Sequence, residues 1–288
     1  MKIILGSGIA GLIFAYYNPD YIVIGEKFGG QMSSHFDLGP RYLHNSCEKV
    51  VNFLKELEVP YVEDIVKVGY LDNMGYVKPD NDYRQRYFMK SRKTNDLSGF
   101  DPSVMNSNKS EFEILRIDFK LLLQRLHDKI EKRLYSGRVI KINLENNELE
   151  TKDMHFRYDS LVSSIPQNVF RSLSGIASDL ESYDMSYYLA PHDFFDYGLA
   201  EYAYVYDCRK DTDFHRMTKC KNGIVLDYFG ARESVDIKGF LPKNLVVLKN
   251  SQIIPLKEEL KIDNVKFIGR YGKWDRKIKT ENIIEGNG

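Results

Sequence analysis

An α/β fold with a central parallel sheet, joined to a second, smaller mixed β-sheet unit, is predicted by three observations on this 288-residue chain. The apolar residues 1–5 run into Gly6-Ser7-Gly8-Ile9-Ala10-Gly11, a helix-forming stretch follows, and Tyr21-Ile22-Val23-Ile24-Gly25 then leads to Glu26. A late apolar strand at 264–268 brings the C-terminal segment back to the same sheet. Between them, residues 203–229 are rich in aromatic, strand-forming residues, which suits a mixed sheet.

The opening turn has a ligand logic. Gly6 permits the tight turn, Gly8 lets the backbone approach a pyrophosphate, and Gly11 lets the helix pack closely on the strands, so that the helix N-terminus faces phosphate. Glu26, closing the second strand, would hold a ribose hydroxyl pair; its charge disfavours a 2′-phosphorylated nucleotide and leaves FAD or NAD. A glycine-rich turn with no ligand is the alternative.

The remaining elements follow in order. Residues 27–40 form a loop with Gly29-Gly30 and Gly39, more bare backbone than an ordinary crossover needs. Asn45-Ser46-Cys47-Glu48 resembles a capping box, and Cys47, Val50, Val51, Leu54 and Leu57 recur at helical spacing up to Pro60. Residues 66–87 read as strands, with a hairpin turn at Asp72-Asn73-Met74-Gly75, and 96–110 as a polar exposed loop. Residues 117–134 read as a helix with Phe119, Leu122, Leu123, Leu126, Ile130 and Leu134 on one face. Short strands follow over 139–156 around Asn146-Asn147, and a strand from Tyr158 stops at Pro166, placing small residues at the carboxyl edge of a sheet. After 264–268 come Gly269-Arg270-Tyr271-Gly272 and a helix from Thr280. The chain thus divides into a discontinuous nucleotide domain (1–65, 111–170 and 260–288) and a substrate-binding domain (66–110 and 171–259).

Composition narrows the partners. Lys plus Arg and Asp plus Glu both number 41, so no global charge draws the chain to nucleic acid or membrane. Three scattered cysteines form neither a metal motif nor a disulfide framework, which points to a reduced, cytoplasmic setting with no metal site. The apolar opening is too short for a signal peptide, and no stretch reaches the roughly 20 apolar residues of a membrane span. The run Tyr83 to Lys93 interleaves bases with aromatics, as a grip on nucleotide phosphates or single-stranded nucleic acid would; a solvated strand is the plainer reading.

Together, the opening glycines with Glu26, Gly29-Gly30, Gly39-Pro40 followed by His44, the strand ending in Ile165-Pro166, and the terminal Gly269-Arg270 resemble the FAD-binding fold of the flavin amine oxidase superfamily. Gly39-Pro40 with His44, Tyr204-Val205-Tyr206 leading to Arg216, and Gly269-Arg270-Tyr271-Gly272 with Trp274 are most similar to its UDP-galactopyranose mutase branch. The resemblance implies that Gly6, Gly8, Gly11 and Gly30 take the pyrophosphate and Glu26 the adenosine ribose. It implies that Val139 meets the adenine end, that Gly39, Gly269 and Arg270 approach the flavin, and that the helix from Thr280 turns its amides to the flavin pyrimidine. Arg216 matches an arginine that clamps the mutases' substrate pyrophosphate. Gln31 replaces a usual arginine beside the cofactor, Arg41 replaces a histidine, and the mutases' helical substrate domain has no counterpart, since 66–134 has room for a hairpin and one long helix.

The expected function is an FAD-dependent oxidoreductase passing hydride from a small substrate, anionic or nucleotide-linked in one version, to flavin N5. The alternatives are a non-redox mutase using reduced flavin on a sugar nucleotide, a flavoprotein acting on a nucleic-acid-linked group, and a non-catalytic FAD-binding module. Candidate catalytic residues are His44, Arg216 and Arg270, and His44 reads equally as a packing residue. His215 is expected on the sheet face opposite Arg216. Tyr271 and Trp274 wall the flavin site or fill the core, and Tyr204, Tyr206 and Tyr228 line a substrate sheet if their faces are inward.

Overall fold

The apolar opening becomes β1 (Lys2–Leu5), in which Ile3 and Ile4 are both fully buried, as a strand covered on its two faces requires. The computed structural model describes all residues except 34–41, 74, 78–79, 93–110, 179, 192–203, 221–222, 236–242, 254–259, 276 and 287. After β1 come α1 (Ile9–Tyr17), β2 (Tyr21–Gly25), β3 (Tyr42–His44), α2 (Glu48–Glu56), β4 (Tyr61–Asp72), β5 (Gly75–Val77) and α3 (Asn81–Arg92). The middle of the chain supplies β6 (Glu111–Ile117), α4 (Phe119–Ile130), β7 (Leu134–Ser136), β8 (Val139–Asn143), β9 (Glu148–Thr151), β10 (His155–Arg157), β11 (Ser160–Ser163) and α5 (Gln167–Leu173). The last part adds β12 (Ser182–Ala190), β13 (Tyr204–Asp207), β14 (Phe214–Cys220), β15 (Gly223–Phe229), β16 (Lys243–Ile253), β17 (Val265–Phe267), α6 (Gly269–Gly272) and α7 (Thr280–Glu285).

Five strands form a parallel sheet in the order β17-β11-β1-β2-β7. Alternation along β1 sends Ile4 into a core with α1, α2, α4 and α7, and Ile3 and Leu5 into a second core under the antiparallel meander β10-β9-β8 and α5. The other described sheet is mixed, ordered β16-β12-β15-β14-β13-β4-β6-β3, with β5 on β4; β13 and β4 pair in parallel. One face buries Val205, Met217, Leu226 and Tyr228, and the other buries Val66, Val68, Tyr70, Tyr206 and, from α3, Tyr87. The parallel-sheet unit and the mixed sheet are the two parts of the α/β fold expected, with strands at both chain ends in one sheet.

Several local expectations are corrected. Residues 81–92 are a helix: Asp80 accepts the Tyr83 N–H at 2.9 Å, and Tyr83, Tyr87 and Lys90 recur at helical spacing. Among the described residues, the segment 66–134 therefore holds two α-helices. The helix expected over 117–134 is trimmed to α4, which Asp118 caps by accepting the Lys120 and Leu121 N–H groups; β6 and β7 flank it. The capping box at 45–48 is not made, because Cys47 is the N-cap without a side-chain bond and the Ser46 hydroxyl donates instead to Glu285, at 2.6 Å. The 96–110 loop lies outside the described residues.

Candidate functional site

Two glycine loops meet at the carboxyl ends of β1 and β2. The Gly29 N–H donates to the Ser7 carbonyl at 2.8 Å, the Ser7 hydroxyl donates to the Lys27 carbonyl at 2.9 Å, and Gly8 and Gly29 form a parallel bridge. Gly30 has φ +56° and lies against Gly8, whose Cα is 3.2 Å from where a Gly30 Cβ would stand. Gly11 is closely packed, since a Cβ there would stand 2.1 Å from the Gly6 carbonyl oxygen and 2.8 Å from Ser164 Oγ. Gly8 differs: a Cβ on it would meet nothing within 4 Å. It is also the N-cap of α1 with no side-chain cap bond, and the first bond of the helix runs from the Leu12 N–H to the Gly8 carbonyl at 3.0 Å. The preceding amides of α1 thus have no intrahelical acceptor, and they border open space at Gly8.

Two further segments close on these loops. Ser164, after β11, donates its backbone N–H to the Leu5 carbonyl at 2.9 Å and its hydroxyl to the Gly6 carbonyl at 3.1 Å. Gly269, at φ +75°, sits where a Cβ would come 2.8 Å from Ala10 Cβ, so α6 docks on the start of α1. Glu26 ends up exposed, 3.9 Å from Arg138 Nε, and the neighbouring Val139 is buried. Gln31 is exposed in a 3-10 turn, Gly30–Ser33. Gly39 and Arg41 lie outside the described residues. Arg270 is exposed and donates Nε to the Ile278 carbonyl at 3.3 Å, while Trp274 is fully buried and belongs to the core.

His44 joins this region through α7. Its Nε2 lies 3.0 Å from Lys279 Nζ, and its backbone N–H donates to the buried Glu281 carboxylate. Burial first, and the Lys279 charge second, lower the imidazole pKa to about 4, so the ring is neutral at physiological pH. Burial likewise pushes the Lys279 ammonium below its ordinary range and the Glu281 carboxyl above it. Lys279 is a side chain that sequence reading passed over. Thr280 opens α7, as expected.

Arg216 lies on the mixed sheet with a partner the sequence reading missed. Its Nε donates to Asp227 Oδ2 at 2.7 Å, and Nη2 lies 2.5 Å from the same oxygen. These are charge-assisted distances, and the Asp227 side chain is 1% exposed against 33% for Arg216. Burial opposes the guanidinium charge, but Asp227 and then Tyr206, Tyr187 and Tyr87 outweigh it and tighten its hold on the proton. Burial raises the Asp227 carboxyl against the pull of Arg216. An isolated aspartate in the apolar run Gly223–Phe229 was the available signal, because a buried acid needs a cation.

His215 does not face away from Arg216. A register shift between Phe214 and Arg216 makes it a bulge residue, and it stacks on Phe229 at 4.2 Å and nears Tyr87 at 6.2 Å, on the face that carries Asp227. Tyr206 and Tyr228 fall on opposite faces, the first beside Tyr70 and Tyr87 and the second beside Phe214 and Tyr188. In the Tyr83–Lys93 run, Tyr87 is buried on the sheet, Arg86 pairs with Asp82, and Lys90 lies 3.3 Å from the buried Asp207. Those groups are engaged within the protein rather than held out as a stacking platform.

No protein-family model matches the sequence, and no curated protein matches it. Solved structures do match in shape. Reduced UDP-galactopyranose mutase superposes with a TM-score of 0.71 at 11% identity, over 99% of this chain and 93% of that one. An oxidoreductase from Methanosarcina mazei gives 0.61 at 14% identity, over 100% and 99% of the two chains. Wild-type putrescine oxidase bound to putrescine gives 0.57 at 8% identity, over 99% and 97%. Among the described residues no helix is long and apolar enough to cross a membrane, and no group of His, Cys, Asp and Glu could hold a metal ion. At these identities the likeness is one of architecture, and the chain has the fold shared by the mutase and the amine-oxidising enzymes.

Proposed function

We propose that the chain is an FAD-dependent oxidoreductase acting on a small molecule. The observation that carries this reading is the Gly8 position: bare, open in front, and set before the uncapped first turn of α1, where a pyrophosphate would accept the free amides. The surrounding residues fit the group. Gly6 and Gly11 leave no room for side chains, Gly30 takes a left-handed φ against Gly8 and so holds the two loops together, Glu26 is exposed at the end of β2 for the ribose, and Gly269 seats the C-terminal segment beside α1. A flavin bound there would supply a hydride acceptor.

The protein's own part is positioning and charge. Burial, and after it the Lys279 charge, keep the His44 ring neutral, while Glu281 fixes the His44 backbone at the edge of the mixed sheet; a neutral imidazole beside the Lys279 ammonium can accept a hydrogen bond but is no imidazolium acid near neutrality. Arg216 and Asp227 lie on the same sheet face, through the row of pairings discussed below. The high superposition on the mutase supports a second reading, non-redox chemistry on a sugar with reduced flavin.

One experiment separates the two. The purified protein is examined for flavin absorbance, then reacted anaerobically with candidate amines, alcohols and sugar nucleotides. Bleaching of the bound flavin by an amine or alcohol supports the oxidoreductase. Turnover of a sugar nucleotide only after dithionite reduction supports the mutase, and tight NAD binding without flavin overturns both.

A further inference from the structure

The Arg216 face contains a feature that bears on substrate charge and rests on the reading just proposed. Cross-strand pairing sets Tyr70 opposite Tyr206, Tyr206 opposite Arg216, Arg216 opposite Asp227, and Asp227 opposite Tyr187. Directly paired residues share a sheet face, so these five form one row across five strands, and Tyr87 of α3 reaches it at 4.5 Å from the Tyr206 ring. Within the row, the guanidinium donates Nε to Asp227 Oδ2 and holds Nη2 in ion-pair contact with the same oxygen. Asp227 Oδ1 is buried and makes no hydrogen bond among the described residues. Arg216 is the charged group that acts on the carboxylate, so the two charges offset one another.

We infer that Asp227 sets the charge selectivity of the Arg216 site, so that the group read there is an uncharged, hydroxyl- or amide-bearing one rather than a phosphate or diphosphate. An arginine meant to clamp a polyanion is useful because its charge is unspent. Here a buried carboxylate lies on one edge of the guanidinium, and any phosphate approaching the other edge meets that negative charge as well. The remaining N–H groups of Arg216 still donate directionally. Flanking tyrosines add apolar ring faces with polar tips, which suits a polyol or an amide better than a naked anion.

The test uses the flavin-loaded protein and inorganic pyrophosphate as probe, with binding followed by titration calorimetry in wild type, Arg216→Ala, Asp227→Asn and Asp227→Ser. Binding that survives Arg216→Ala belongs to other sites and is subtracted. The expected result is no Arg216-dependent binding in wild type, and Arg216-dependent binding at least about tenfold tighter in whichever Asp227 variant folds. Wild-type protein that binds pyrophosphate through Arg216 overturns the inference, as does a folded Asp227 variant that gains nothing. Flavin absorbance of the same samples separates this from failure of the cofactor reading: a chain that holds no flavin defeats the proposed function, while the Arg216-dependent term still reports on Asp227.

Discussion

In the parallel-sheet half the candidate site is made of backbone; in the mixed sheet it is made of paired side chains. Gly6, Gly11 and Gly269 are fixed by what a Cβ would strike and Gly30 by its left-handed φ, and each lies in a glycine-rich stretch visible in local sequence. Arg216 depends on Asp227, eleven positions away, and on the registers of β13, β14, β15 and β12. The first kind of site excludes side chains and is fixed by neighbours in the chain. The second is fixed by strand pairing, which a single sequence does not reveal.

Substitution at Gly11 should break the backbone half outright. A Gly11→Val side chain would overlap the Gly6 carbonyl and Ser164 Oγ, and we expect a loss of about 3 kcal/mol or more, or no folded protein, in denaturant unfolding. A stable Gly11→Val protein would show that the loop is looser than described.

The side-chain half should respond to the loss of a partner. Arg216→Ala leaves a carboxylate that is 1% exposed without its cation, and should cost about 3 kcal/mol, while bound flavin is retained. An unaltered unfolding midpoint would mean that Asp227 finds another donor or takes up a proton without penalty.

The junction between the halves carries a pH signature. Because the folded His44 pKa, about 4, lies below its unfolded value of 6.5, the unfolded state binds more protons between those limits. The stabilising effect of the neutral ring is therefore fully present above pH 6.5 and lost as pH falls toward 4. Allowing for partial exposure of the ring, wild type should lose roughly 2 kcal/mol more than His44→Gln over that range. Equal pH profiles for the two proteins would place His44 in solvent. The smallest effect is expected at Asp118→Ala, which removes the α4 cap and should cost about 1 kcal/mol by thermal unfolding.

The same contrast explains what sequence reading reached. The strands β1, β2, β11 and β17 and the glycine turns after them were legible because buried strands and forbidden side chains leave local patterns. The α3 helix was missed because tyrosines and arginines favour strands about as well as helices there; Pro79-Asp80 ahead of Tyr83, Tyr87 and Lys90 was the overlooked start signal. The last residue of β6 and the first of β7 are drawn into the α4 pattern, since Ile117 and Leu134 extend its apolar spacing by chance. The bulge at His215 left no mark in the sequence, and it moved that side chain to the other face. Lys279 looked like one more surface lysine, and only the approach of β3 to α7 sets it against His44.

Gly8 gives the most direct test of the central claim, that the loops are built around a flavin dinucleotide. Its Cβ direction is open and its φ of −75° suits any residue, so Gly8→Val should leave the unfolding midpoint of the cofactor-free protein unchanged within about 0.5 kcal/mol. Flavin absorbance after desalting is then compared between wild type and Gly8→Val. The account predicts that wild type retains flavin and that Gly8→Val, equally well folded, binds it at least about tenfold more weakly. Equal flavin retention by both proteins, or a wild type with no affinity for flavin, would contradict it.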